Sequence, residues 1–167
     1  ISNPNSYAQD FAEIPDGVVR IGKRAFEGCK SLIEVRLPEG VEKIESRTFF
    51  ECSSLEHVSF PKSLTNISSE AFYGCSSLTE VNIAEGVLEY IDAEAFFGCS
   101  SLTHVVLPEC VGGIGYKAFS ECTSLEKIKI PMRIAEVVGC AFSGCTSLTE
   151  VKIQEGVKYI NDEAFSD

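Results

Sequence analysis

With 167 residues, 44% of them apolar and 23% charged, the chain has the length and composition of one folded domain and not of a disordered tail. Acidic residues outnumber basic ones 25 to 14, and a net charge of −11 repels a phosphate backbone, so no nucleic acid is expected as a partner. No apolar run approaches the roughly 18 residues that span a bilayer, so no membrane insertion is expected.

The chain opens Ile1-Ser2-Asn3-Pro4, without Met and without a basic-then-apolar signal segment. A processed or excised piece of a longer chain is therefore expected. Residues 1–14 stand outside the pattern that follows, and Tyr7 and Phe11 are expected to fold over the first rung as a partial cap or linker.

From residue 15 to 167 the chain repeats, as six full units and a truncated seventh. The pair Ala-Phe recurs at Phe26, Phe72, Phe96, Phe119, Phe142 and Phe165, with Thr48-Phe49 in the remaining slot; successive Phe spacings are 23, 23, 24, 23, 23 and 23. Cys follows three residues later at Cys29, Cys52, Cys75, Cys99, Cys122 and Cys145. Leu of Ser-Leu follows at Leu32, Leu55, Leu78, Leu102, Leu125 and Leu148, and Pro punctuates at Pro15, Pro38, Pro61, Pro108 and Pro131. The one longer unit carries its extra residue near Val87-Leu88-Glu89.

Each unit is built alike. Leu55-x-x-Val58-x-Phe60-Pro61 alternates as a half-buried strand does, and Pro61 ends it because it has no amide to donate. Gly17, Gly40, Gly86 and Gly156 suit the turn that follows. A second short apolar pair comes next, as in Val41 and Ile44 or Leu64 and Ile67. In Ala-Phe-x-x-Cys the apolar residues three apart predict one turn of helix. No unit buries its apolar face alone; stacking puts Phe on Phe and Leu on Leu. The expectation is a right-handed α/β repeat solenoid with a parallel sheet on one face and short helical turns on the other.

The unit Leu32-x-x-Val35-x-Leu37-Pro38-x-x-Val41-x-x-Ile44, followed by Phe49-x-x-Cys52-x-Ser54-Leu55, resembles the BspA-type leucine-rich repeat, from about Pro15 to the C-terminus. Gly40 and Ser63 stand where the general leucine-rich pattern closes its turn with Asn or Cys, which fits this subclass. The resemblance implies a secreted or cell-surface protein of bacteria or protozoa. It further implies a protein-binding role, often adhesion to host surface or matrix proteins. The partner does not transfer between solenoids of one subclass.

Six of the eight cysteines fill one slot and should form a reduced core column, with Cys110 and Cys140 outside it as free thiols or a pair. Gly113-x-Gly115-x-x-Ala118 matches a dinucleotide fingerprint loosely, but it lies in the slot of Lys43 to Thr48 and reads as drift of the repeat. Asn66-Ile67-Ser68 is a glycosylation sequon whose Asn should face solvent. His57, Glu80 and His104 share one outward strand slot and form a weak candidate for a metal site; a solvated polar face is the favoured reading, and no cofactor is expected.

The outward strand slots hold Glu34 and Arg36, His57 and Ser59, Glu80 and Asn82, His104 and Val106, Lys127 and Lys129, Glu150 and Lys152. Their charges sum to +1 while the rest of the chain carries −12, and Lys127, Lys129 and Lys152 cluster toward the C-terminal rungs. This face is the candidate protein-binding surface of a non-enzymatic module. The alternatives are a structural spacer carrying another domain and, ranked below it, a glycan-binding protein, since these slots hold no aromatic residue and the chain has no Trp. The last unit stops at Phe165-Ser166-Asp167, which suggests further repeats or end-to-end self-association.

Overall fold

Phe26, Phe49, Phe72, Phe96, Phe119, Phe142 and Phe165 stack face to face in one column, with ring centroids 5.1 to 5.5 Å apart. That column is the axis of the protein. The structure, a computed structural model, describes residues 10–83 and 85–167, so the expectation for Tyr7 lies outside the described residues. Leu55, Leu78, Leu102 and Leu125 and the thiols of Cys52, Cys75, Cys99 and Cys122 are buried beside the rings.

Two sets of parallel strands enclose this core. The longer set is β1 (Phe11–Glu13), β3 (Glu34–Arg36), β5 (His57–Ser59), β7 (Glu80–Asn82), β9 (His104–Val106), β11 (Lys127–Ile130) and β13 (Glu150–Ile153). The shorter set is β2 (Arg20–Ile21), β4 (Lys43–Ile44), β6 (Asn66–Ile67), β8 (Tyr90–Ile91), β10 (Gly113–Ile114), β12 (Glu136–Val137) and β14 (Tyr159–Ile160). Each unit supplies one strand to each set, and equivalent residues pair across rungs: Val35 with Val58, Val81 with Val105, Ile128 with Val151. Phe11 does not merely lie over the first rung. With Ala12 and Glu13 it pairs with β3 and extends the sheet.

The short apolar pairs of the sequence are thus a second parallel sheet. The helical turns expected beyond them are not formed: the described residues contain no helix. In rung two, Thr48, Phe50 and Cys52 donate their amides three residues back, to Glu45, Arg47 and Phe49. The alternate amides of Phe49 and Glu51 donate instead to Ala71 and Tyr73 of the next rung. A helix would turn every amide along its own axis. A left-handed residue recurs in the same slot, at Arg24, Arg47, Glu70, Glu94, Lys117, Cys140 and Glu163, and ends any helical run before it can propagate. The result is a chain of tight turns hydrogen-bonded from rung to rung.

Both sheets are interrupted. The longer set divides between β5 and β7 and the shorter between β10 and β12. The glycines of the weak fingerprint serve packing. A Cβ on Gly115 would stand 2.5 Å from the backbone nitrogen of Ala93, so only glycine lets these rungs approach.

Candidate functional site

Alternation along β3 to β13 turns one residue in two toward solvent. Arg36, His57, Ser59, Glu80, Asn82, His104, Val106, Lys127, Lys129 and Lys152 are exposed; Glu34 and Glu150 are half-buried. The register then sets neighbours: Glu34 beside His57, Glu80 beside His104, His104 beside Lys127, Lys127 beside Glu150, Lys129 beside Lys152.

The basic end of this face is more nearly neutral than its sequence suggests. Lys127 and Lys152 reach the same carboxylate, Glu150, at 3.1 and 3.2 Å. Their hydrogen bonds, that of Lys127 first, hold Glu150 below the ordinary carboxylate range. Lys129 pairs with Glu109, which also accepts the Met132 amide at 3.2 Å and the Gln154 side-chain amide at 3.1 Å. Glu109 is held low in the same way, by Lys129 first. A cleft of about 300 Å³ lies among His104, Val106, Lys127, Lys129 and Lys152, with Val105 and Ile128 beneath. A second cleft of about 540 Å³ opens on the same face where β5 and β7 part.

That parting also separates the suggested metal ligands. Glu80 and His104 are neighbours, but His57 stands across the interruption. His57 Nε2 lies 3.9 Å from Glu56, and His104 Nδ1 is 2.8 Å from the Thr103 hydroxyl. Among the described residues no group of three or more His, Cys, Asp or Glu converges for a metal. The sheet that should have aligned them is not continuous there.

All eight cysteines are free thiols. The column has a bonding role that spacing alone does not reveal. Each buried thiol donates to the carbonyl of a Phe in the preceding rung: Cys52 to Phe26, Cys75 to Phe49, Cys99 to Phe72, Cys122 to Phe96, Cys145 to Phe119, at 3.0 to 3.3 Å. Burial pushes the Cys52 and Cys145 thiols up to about 12 and those of Cys75, Cys99 and Cys122 well above the ordinary thiol range. Cys110 and Cys140 are half-buried; Cys110 contacts the Leu88 carbonyl at 3.2 Å and Cys140 the Glu163 carboxylate at 3.5 Å. Asn66, expected to face solvent, is half-buried, and its amide group is engaged by Asp92 and Ser68.

Sequence reasoning missed several residues of the face. Glu109 and Gln154 follow the strands and complete the lysine cluster, and Phe60, Lys62, Ile83 and Glu85 belong to the larger cleft. The available signal was Phe60, an aromatic in a slot held by Leu37, Ile83, Leu107, Ile130 and Ile153. Exposed tyrosines exist as well, but Tyr90 and Tyr159 lie on the opposite, shorter-stranded sheet and Tyr116 lies in a turn after β10.

A rung-stacked sheet that displays a row of polar side chains defines a repeat solenoid of the binding-scaffold class. The chain belongs to the BspA type leucine rich repeat region family, whose profile matches six copies over residues 5–100 and 87–167. Members of that family are interaction or surface-protein modules. A leucine-rich repeat protein of T. pallidum (TpLRR) is 32% identical, with a TM-score of 0.86 over 92% of this chain and 74% of that one. A leucine-rich repeat protein from Bacteroides ovatus is 27% identical, with a TM-score of 0.63 over 90% of this chain and 47% of that one. The pneumococcal vaccine antigen PcpA, 21% identical, shares the fold, with a TM-score of 0.56 over 93% of this chain and 37% of its own length. No curated protein matches the chain.

Proposed function

We propose that this chain is a non-enzymatic protein-binding module of a secreted or cell-surface protein, and that it binds through the face of the longer strands. One observation carries the reading: both clefts described above open on this face, among polar side chains held in register by the sheet. Rigid display lowers the entropy lost on docking, and mixed charge supplies complementarity. Exposed Val106, two residues along β9 from His104, adds an apolar contact to the cleft that Lys127 and Lys129 also line.

An extracellular setting is compatible with the thiols. Disulfide formation starts from a thiolate, and burial together with donation to Phe carbonyls keeps the column protonated. Adhesion to host or matrix proteins is the specific form of the proposal, and its support is the family. Capture on immobilised matrix proteins and serum tests it. The triple substitution Lys127→Glu, Lys129→Glu, Lys152→Glu should reduce capture at least tenfold with an unchanged melting temperature. Undiminished capture would refute the face, and the absence of any captured protein would favour the spacer.

A further inference from the structure

At the interruption between β5 and β7 one residue departs from the repeat. Phe60 occupies the slot held in other rungs by Leu37, Ile83, Leu107, Ile130 and Ile153. Its ring stands edge-on to Phe72, with centroids 5.8 Å apart and planes at 69°. An aromatic ring in a place shaped for a branched aliphatic chain overpacks it. Rungs two and three part only at their longer strands, where Val58 is half-buried although Val35, Val81 and Val105 in the same slot are buried; β4 still pairs with β6 and the Phe49 and Phe72 rings remain 5.1 Å apart. The two strands remain joined at their base, where the Thr79 amide donates to the Glu56 carbonyl at 3.4 Å, and no ladder forms beyond it.

The cleft so opened, about 540 Å³, has an apolar floor of Val58, Phe60 and Ile83 and a polar rim. Glu34, Glu80 and Glu85 face a single ammonium, that of Lys62, a net of −2. Two of the carboxylates are occupied, Glu34 by Arg36 at 2.9 Å and Glu85 by Lys62 at 2.8 Å. Glu80 has no cationic partner within ion-pair distance among the described residues, and Ser59 and Asn82 add uncharged acceptors beside it.

We infer that this cleft receives an arginine side chain from the partner protein. The inference rests on the face proposed above and specifies its anchor. The arginine stem covers Val58 and Ile83, the guanidinium packs on the Phe60 ring, and its donors meet the Glu80 carboxylate, Ser59 and Asn82. Arginine fits better than lysine for physical reasons. Its planar, weakly hydrated head stacks on an aromatic ring and uses several acceptors in a fixed fork, while an ammonium keeps its water. A buried arginine in a preformed pocket is also a typical energetic centre of an interface.

The test is an NMR titration of the whole chain with the blocked pentapeptide Thr-Val-Arg-Val-Thr and its citrulline and lysine counterparts, at physiological salt. The arginine peptide should shift the amides of residues 57–60 and 80–83 and bind at least tenfold tighter than the isosteric, uncharged citrulline peptide. Glu80→Gln should remove that difference without changing the melting temperature. Phe60→Leu should close the interruption and abolish binding while the ring column persists. Equal affinity for citrulline, shifts spread over the acidic surface, or an unaffected Glu80→Gln variant would each overturn the inference. Loss of matrix capture in the triple-lysine variant together with an indifferent Glu80→Gln variant would sink the arginine pocket alone and leave the binding face standing.

Discussion

Phe96 is sandwiched between Phe72 and Phe119, both centroids 5.1 Å away, and is fully buried. Truncation removes two stacked contacts and leaves a void that the neighbouring rungs cannot fill without losing their own register. Phe96→Ala should cost about 3–5 kcal/mol in urea unfolding. The thiols beside it impose a pH dependence with a definite sign. Their native-state pKa values are raised, so the unfolded chain releases these protons first. Stability is complete below the ordinary thiol range, near 9, and falls as pH rises toward about 12. Each such thiol contributes a slope of about −1.4 kcal/mol per pH unit in that window. Urea midpoints measured from pH 7 to 10.5 should drop steeply above pH 9, and Cys122→Ala should make the drop shallower. Native protein treated with a bulky maleimide should label rapidly at the half-buried Cys29, Cys110 and Cys140 at most; rapid labelling of Cys52, Cys75, Cys99, Cys122 and Cys145 would contradict their burial.

At the scale of elements, the strands and the core column were legible because their signals recur in phase over many rungs. The turn face was not. Apolar residues three apart occur in one turn of helix and equally in a pair of tight turns, and only the left-handed slots separate the two. Those slots hold Arg47, Glu70 and Glu94, residues that do not announce a positive φ in sequence. The second sheet escaped notice because two-residue strands such as Lys43–Ile44 are too short to show an alternation. Phe60 was visible as the one aromatic in its slot, but its consequence was not, because it is a good strand residue that differs from its equivalents in volume and shape. The turn geometry makes its own prediction. Glu51 (φ 54°) sits in a left-handed slot that Gly28, Gly74, Gly98 and Gly144 fill elsewhere. Glu51→Gly should relieve that strain and stabilise the protein by about 0.5–1 kcal/mol in a thermal melt, and a destabilised variant would show that the side chain matters more than the backbone.

For the whole molecule, the candidate face was legible as a set of residues, since strand alternation fixed which side chains point outward. Its electrostatics were not, because Glu109 lies in the loop after β9 and pairs with Lys129 one rung on, while Gln154, two rungs from Glu109, donates to that same carboxylate. The face therefore offers local complementarity more than a long-range field, and partner association should depend only weakly on salt between 0.1 and 0.5 M. The opposite sheet carries Arg20, Lys43, Tyr90 and Tyr159 outward and serves as an internal control. The most direct measurement compares affinity for a captured partner across two double variants: His104→Glu with Lys127→Glu on the longer-stranded face, and Arg20→Glu with Lys43→Glu on the shorter. The first pair should weaken binding at least tenfold and the second should leave it within twofold. Equal losses, or a loss confined to the second pair, would contradict the assignment of the binding face.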